Sequence, residues 1–139
     1  MNGVLMHTGG RFMDTCGADR ERIAQAIQLY FDGMHYRDLV RLRKAFHPAA
    51  CLFGYRQQQC LHVPVEDWLR IVESRPVPAS NGEPHDMRIM STDISGCVAT
   101  AKVAYLYQGL RFVDHLTLLR TTDGEWVIVN KAFQCESQE

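Results

Sequence analysis

Apolar residues recur three and four positions apart in the first half of the chain, which is the spacing of amphipathic helices. The first such stretch spans residues 19–34, with Asp19 as its predicted N-cap. The second spans residues 39–46 and is predicted to end before Pro48, because a residue that precedes proline disfavours the helical conformation. A third stretch covers residues 64–74. We therefore expect three helices, each with one apolar side that packs against another element.

Shorter runs of apolar and aromatic residues, bounded by turn residues, predict strands. They comprise residues 50–55, 59–64, 87–94, 97–107, 110–119 and 126–135. The last four runs are separated by SG, QG and TTDGE, which are turn signals typical of an antiparallel meander. Helices followed by a series of strands predict an α+β fold, with the helices on one face of a curved sheet.

The predicted hairpins assign residues to the two faces of this sheet. With QG and DG as two-residue loops, one face carries Ala99, Ala101, Val103, Tyr105, Phe112, Asp114, Leu116, Leu118, Val129, Lys131 and Phe133. The opposite face carries Thr100, Lys102, His115, Thr117, Ile128 and Asn130, and it would meet water or a second subunit. The first face is apolar apart from Asp114 and Lys131, which lie diagonally across one hairpin. Since burial of a lone carboxylate is costly, we expect Asp114 either to pair with Lys131 or to face a ligand.

Composition places the chain among single-domain globular proteins. It has 139 residues, of which 46% are hydrophobic and 22% charged, enough for one domain with its own core. Residues 1–17 are rich in glycine and show little periodicity, so we expect them to be a loosely ordered lead-in to a single domain over residues 18–139. The formal net charge of -1 gives no electrostatic reason to bind a polyanion, and nucleic acid is not an expected partner.

Other features bear on the compartment and on bound groups. No apolar run is long enough to cross a bilayer, and the five cysteines are widely spread without a C-x-x-C motif, so we expect a cytoplasmic protein with reduced thiols and no membrane partner. Two arrangements resemble half of a metal site: His47 with Cys51, and Cys60 with His62. A zinc site needs three or four ligands in one place, so we expect no metal, and nothing in the chain indicates a cofactor.

Two longer segments carry a more specific signal. The segment YFDGMHYRDLVRLRKAFHPAACLFGY joins an aromatic-rich helix to a D-x-x-x-L-x-x-x-F-H-P junction. The segment DISGCVATAKVAYLYQGLRFVDHLTLLRTTDGEWVIVNKAF contains the strands FVDHLTLL and DGEWVIVNK. Over residues 23–133 the chain thus resembles the nuclear transport factor 2-like superfamily, and within it the putative lumazine-binding branch. The resemblance implies a cone-shaped half-barrel, in which a curved antiparallel sheet packs on N-terminal helices around a pocket, usually in homodimers.

This superfamily contains both enzymes and binding proteins, so the fold alone does not give the function. In its ketosteroid isomerases, a tyrosine on the first helix and a protonated carboxylic acid on a strand donate hydrogen bonds to an enolate, and a separate aspartate is the base. Tyr30 and Asp114 match the first two positions and are therefore candidate catalytic residues by resemblance. Gly54 stands where the aspartate base would be, which argues against this mechanism of proton abstraction.

The candidate ligand-binding residues are Tyr30, Phe53, Tyr55, Trp68, Tyr105, Asp114 and Lys131. The aromatic residues among them would either line a cavity for a flat ligand or fill the core. We expect a homodimeric domain that binds an unidentified small molecule in a largely apolar pocket. One alternative is a cofactor-independent isomerase, cyclase or dehydratase that acts on a small apolar carbonyl compound. Another is a protein interaction module that uses the outer face of the sheet.

Overall fold

A computed structural model of the chain describes the backbone of residues 9–136 and the side chains of residues 17–136. The helices are α1 (Gly9–Tyr36), α2 (Leu39–Ala45) and α3 (Val65–Glu73), with a short 3-10 helix at Ala79–Asn81. The strands are β1 (Phe46–Arg56), β2 (Gln59–Pro64), β3 (Met87–Ser95), β4 (Val98–Tyr107), β5 (Leu110–Arg120) and β6 (Trp126–Cys135). The predicted α+β class, with helices packed on a curved sheet, is confirmed.

The six strands form one curved, open sheet in the order β2-β1-β6-β5-β4-β3. The predicted meander of β3 to β6 is antiparallel throughout, and β1 pairs with β2 as a hairpin. One pair, β1 and β6, is parallel, so the sheet is mixed and not wholly antiparallel as expected. Turn signals report only hairpins between consecutive strands, whereas β1 and β6 are joined through α3 and the whole meander.

Helix α1 supplies the apolar layer that covers the sheet. Ile23, Ile27 and Tyr30 recur at helical spacing on its inner side, and each is 0% exposed. Helix α2 packs closely against α1 because Gly33 has no side chain, since a Cβ atom there would lie 2.6 Å from the side chain of Leu42. The three helices and the inner face of the sheet thus enclose one hydrophobic core.

The start of α1 differs from its prediction. The helix begins at Gly9, so Asp19 is an interior residue and the N-cap prediction was wrong. Asp19 is 3% exposed and accepts hydrogen bonds from the indole nitrogen of Trp126 at 3.0 Å and from Arg120 at 3.2 Å. Residues 1–8 of the predicted lead-in lie outside the described residues, and the domain boundary at residue 18 stays a prediction. No helix within the described part of the chain is long and apolar enough to cross a membrane.

The register of the sheet agrees with the prediction except at one bulge. Val103 pairs with Asp114, Leu116 pairs with Lys131, and Asp114 and Lys131 are therefore diagonal neighbours, as predicted. Between Lys131 and the start of β6 the register shifts, because Leu118 pairs with Ile128. The bulge leaves Val129 unpaired and places Ile128 in the core with 0% exposure, so their predicted faces were wrong.

Candidate functional site

Three polar side chains meet in the centre of the core. The Tyr30 hydroxyl, from the middle of α1, donates a hydrogen bond to Asp114 Oδ2 at 2.5 Å. The Tyr105 hydroxyl, from β4, donates to Asp114 Oδ1 at 2.9 Å. The two hydroxyl oxygens lie 3.1 Å from each other. The structure thus confirms that Asp114 lies on the inner face and adds Tyr105 to the predicted pair of Tyr30 and Asp114.

Burial governs the protonation of this triad. Asp114 is 0% exposed, and burial raises its pKa, although Lys131 and the two hydroxyls oppose the increase. Burial and the neighbouring carboxyl also raise the pKa values of the Tyr30 and Tyr105 hydroxyls, so both remain protonated. Two hydroxyl hydrogens can satisfy only two of the three contacts, whereas a protonated carboxyl would supply the third.

The ammonium group of Lys131 lies between this triad and a cavity. It is only 3% exposed, and its Nζ atom is 3.9 Å from Asp114 Oδ2, which is an ion pair but too long for a hydrogen bond. Four aromatic rings surround it, with centroids at 4.6 Å for Trp68, 5.1 Å for Tyr30, 5.4 Å for Phe133 and 5.8 Å for Tyr105. Burial lowers the pKa of Lys131, although Asp114 opposes this shift. Within residues 17–136 the ammonium has no hydrogen-bond acceptor.

The cavity beside Lys131 has a volume of about 90 Å³. Its wall is mostly apolar and is formed by Met34, Leu52, Arg56, Leu61, Val63, Trp68, Ile71, Arg75, Tyr105, Tyr107, Phe112, Lys131 and Phe133. The sequence-predicted residues Trp68, Tyr105 and Lys131 are therefore brought together at one open space. Tyr30 and Asp114 do not belong to this wall, because Tyr105 and Lys131 lie in front of them.

A second hollow of about 240 Å³ adjoins the cavity and opens towards solvent. The two spaces share Arg56, Arg75, Tyr107 and Phe112 as lining residues. Arg75 lies over the ring of Tyr107, with its guanidinium carbon 5.9 Å from the ring centroid. Arg56 and Arg75 therefore lie in the wall that the inner cavity and the outer hollow share, and this shared wall is termed the passage.

Two predicted ligand-binding residues lie elsewhere. Phe53 and Tyr55 are 42% and 50% exposed on the outer face of β1, and neither lines the cavity. Their prediction as pocket residues was wrong because the strand's alternation turns Leu52, Gly54 and Arg56 inward instead. The ring of Phe53 stacks on that of His62, with centroids 4.4 Å apart, in the β1–β2 hairpin.

Gly54 has a packing role at the position where the isomerase base would stand. A Cβ atom built on Gly54 would lie 2.5 Å from the ring of Phe133. The glycine therefore lets the Phe133 ring lie against β1 and form one side of the cavity.

Neither of the two arginines at the passage was predicted from the sequence. Arg56 could have been found, because it continues the inward alternation that starts at Leu52. Arg75 follows the end of α3 in irregular chain, where no periodicity indicates the direction of a side chain. Within the described chain, no group of three histidine, cysteine or acidic side chains could hold a metal ion.

Comparisons with known proteins show the family to which the chain is similar in sequence and the structures to which it is similar in fold. The profile of the family described as Putative lumazine-binding matches residues 18–134. No curated protein matches the chain. Among solved structures, an NTF2-like protein of unknown function from Shewanella baltica has 23% identity and a TM-score of 0.78, with 87% of this chain and 96% of that chain covered. Another from Methylobacillus flagellatus has 29% identity and a TM-score of 0.74, with 86% and 94% covered. An NTF2-like protein with a cystatin-like fold from Novosphingobium aromaticivorans has 16% identity and a TM-score of 0.71, with 99% and 94% covered.

Proposed function

The chain belongs to the Putative lumazine-binding family, and from this premise we propose that it is a small-molecule-binding domain whose ligand occupies the cavity beside Lys131. The observation that carries the proposal is the state of this lysine. Its ammonium is 3% exposed, borders the cavity and has no hydrogen-bond acceptor among the described side chains. A ligand oxygen or nitrogen in the cavity would supply that acceptor.

The wall of the cavity favours a flat, apolar ligand body. Trp68, Tyr105 and Phe133 present aromatic surfaces around the ammonium, and aliphatic side chains complete the enclosure. Flat rings stack well against such surfaces, while one or a few polar groups fix their orientation. The family name refers to lumazine, a flat bicyclic compound, which agrees with this shape without identifying the ligand.

The volumes limit how the ligand is held. The inner cavity, about 90 Å³, is smaller than a cavity of about 150 Å³ that accommodates benzene. We infer that one edge of the ligand, which bears the acceptor, enters the inner cavity. The rest of the ring system lies in the outer hollow of about 240 Å³.

The buried triad then serves to position the binding groups. Tyr30 and Asp114 contact each other and Tyr105 behind the cavity wall, where a ligand in the cavity does not reach them. In this proposal they fix the position of the Tyr105 ring, and Asp114 attracts the ammonium of Lys131 from the side opposite the cavity. The alternative of an isomerase, cyclase or dehydratase that uses Tyr30 and Asp114 directly has less support, because both groups are 0% exposed.

Calorimetric titration with a neutral bicyclic probe tests the proposal. The probe is a hydroxynaphthamide, whose hydroxyl oxygen would accept a hydrogen bond from Lys131 while its amide group lies at the opposite end of the rings. The variant Val63→Phe fills the cavity, since Val63 lines it. We expect the wild type to bind, and this variant to lose at least about tenfold in affinity.

A matched control uses the same substitution on the outer face. Val98 is 44% exposed and does not line the cavity, so Val98→Phe should bind the probe as the wild type does. Circular dichroism and thermal unfolding establish that both variants are folded. Equal binding by the folded Val63→Phe variant would contradict the proposal, as would a wild type that binds neither this probe nor its analogue with a carboxylate in place of the amide.

We further propose that the outer face of the sheet pairs two copies of the chain. Phe53, Tyr55, Val98 and Leu119 are 40–50% exposed on this face, which is more apolar than a wholly solvated face requires. Sedimentation velocity should show a dimer, and Phe53→Asp should shift it to the monomer because it places a charge in the apolar contact. A wild type that remains monomeric at all accessible concentrations would exclude this pairing.

A further inference from the structure

We propose that the ligand is an organic anion, and that its charged group lies at the passage between the two hollows, on Arg56 and Arg75. The inference rests on the proposed function and goes beyond it by naming the charge of the ligand and the residues that select it. It follows from the sign of every charged group that the structure places around the two spaces.

Within the described residues, all charged side chains in the wall of the inner cavity are cationic, namely Arg56, Arg75 and Lys131. The outer hollow contains the same two arginines and no acidic side chain among its described lining residues. A ligand that enters through the hollow therefore meets positive charge along the whole path. Such a path favours an anion and disfavours a cation.

The two arginines have no carboxylate partner among residues 17–136. Some other arginines have carboxylate partners: Arg43 pairs with Glu66 at 2.7 Å and Arg111 with Asp86 at 2.7 Å. Neither Arg56 nor Arg75 forms an ion pair with any residue of the described range 17–136. Both are half-buried, so part of their hydration is already lost. A carboxylate at the passage could accept hydrogen bonds from one or both guanidinium groups, which match its planar geometry.

The three cationic side chains would contact different groups of the ligand. Asp114 lies 3.9 Å behind Lys131 and compensates part of its charge, so Lys131 suits a neutral acceptor such as a hydroxyl or carbonyl oxygen. The arginines lack such compensation and suit the full negative charge. The chemical class that fits is a flat, apolar ring system with a hydrogen-bond acceptor at one end and a carboxylate at the other.

The test compares two probes that differ only in charge. Hydroxynaphthoate carries a carboxylate where hydroxynaphthamide carries a neutral amide, and both affinities are measured by calorimetric titration at low ionic strength. The wild type should bind the carboxylate at least about tenfold more tightly than the amide. This preference should shrink as salt is added, because salt screens the partly exposed arginines.

The variants assign the preference to residues. Arg56→Gln and Arg75→Gln should each lower the affinity for hydroxynaphthoate by about tenfold and lower the affinity for hydroxynaphthamide by a smaller factor, because a neutral carbonyl oxygen accepts a weaker hydrogen bond than a carboxylate. Arg88→Gln, on the exposed side of β3, serves as the control and should change neither affinity. A specific loss of carboxylate binding in both passage variants would support the inference.

The outcomes separate this inference from the proposed function. If the wild type binds both probes equally, or if the arginine variants weaken both equally, the cavity binds ligands but the assignment of an anionic group is wrong. If the wild type binds neither probe, the proposed function itself fails, and the inference fails with it.

Discussion

At Asp114 and Lys131, loss of hydration outweighs the attraction between opposite charges. Burial is the largest influence on both groups, and it raises the pKa of Asp114 and lowers that of Lys131 despite their separation of 3.9 Å. Attraction across this distance does not replace the water that both groups lose. Burial thus makes the ionised form of the pair more costly than in water, and a ligand that accepts a hydrogen bond from Lys131 would offset part of that cost.

The shifted pKa of Asp114 predicts how stability depends on pH. Since the folded-state pKa lies above the ordinary value of 3.8, the native state binds more protons than the unfolded state between these two pKa values. This contribution to the free energy of unfolding is therefore fully present below 3.8 and is lost as the pH rises through the folded-state pKa. Lys131 has the opposite effect because its folded-state pKa is lowered, so its contribution to stability rises with pH from that pKa up to the ordinary value of 10.5.

The variant Asp114→Asn isolates the acidic part of this dependence. Urea unfolding of the wild type and the variant across the acidic to neutral range should give a difference in unfolding free energy that changes with pH. The wild type should lose stability relative to the variant as the pH rises. Asp93→Asn, at an exposed position of β3, is the matched control. A difference for Asp114→Asn that stays constant over the range would show that this carboxyl has the same pKa in both states.

At the scale of single elements, β1 shapes the cavity through a residue without a side chain. A Cβ atom at Gly54 would lie 2.5 Å from the Phe133 ring of the neighbouring strand β6. Since Phe133 also lines the cavity, a side chain at this position must displace a ring that forms part of the cavity wall.

We therefore predict two effects of Gly54→Ala. Overpacking should lower the free energy of unfolding by about 1–3 kcal/mol, and displacement of Phe133 should weaken binding of hydroxynaphthamide. Denaturant unfolding and calorimetric titration measure these effects. The double variant Gly54→Ala with Phe133→Leu should recover part of the binding, because the smaller side chain leaves room for the methyl group. Unchanged binding in the single variant would mean that Phe133 does not limit the space.

The sequence patterns predicted the helices and strands well because each pattern depends only on residues that are close in sequence. The QG turn fixes the β4–β5 pairing, and Gln108 and Gly109 both have the positive φ angles that this tight turn requires. The bulge at Val129 and the burial of Asp19 have no comparable signal. The first depends on how β5 and β6 curve together, and the second depends on Trp126, which is 107 positions away.

At the scale of the whole molecule, the site arises where α1, α3 and five strands converge. Tyr30 comes from α1, Trp68 from α3, and Asp114 and Lys131 from the meander, so the site exists only in the folded chain. Alternation along β5 and β6 sufficed to place Asp114 and Lys131 on the inner face. It could not show that Tyr105 and Lys131 would separate Tyr30 and Asp114 from the cavity, since this depends on how far α1 packs above the sheet.

The most direct test of the account is a crystal structure of the protein with hydroxynaphthoate. The account predicts that the rings lie against Trp68, with the hydroxyl oxygen about 3 Å from Lys131 Nζ and the carboxylate at Arg56 and Arg75. A probe bound elsewhere on the molecule, or one whose oxygen atoms do not reach Lys131, would contradict the central claim that the buried ammonium is the centre of a ligand site.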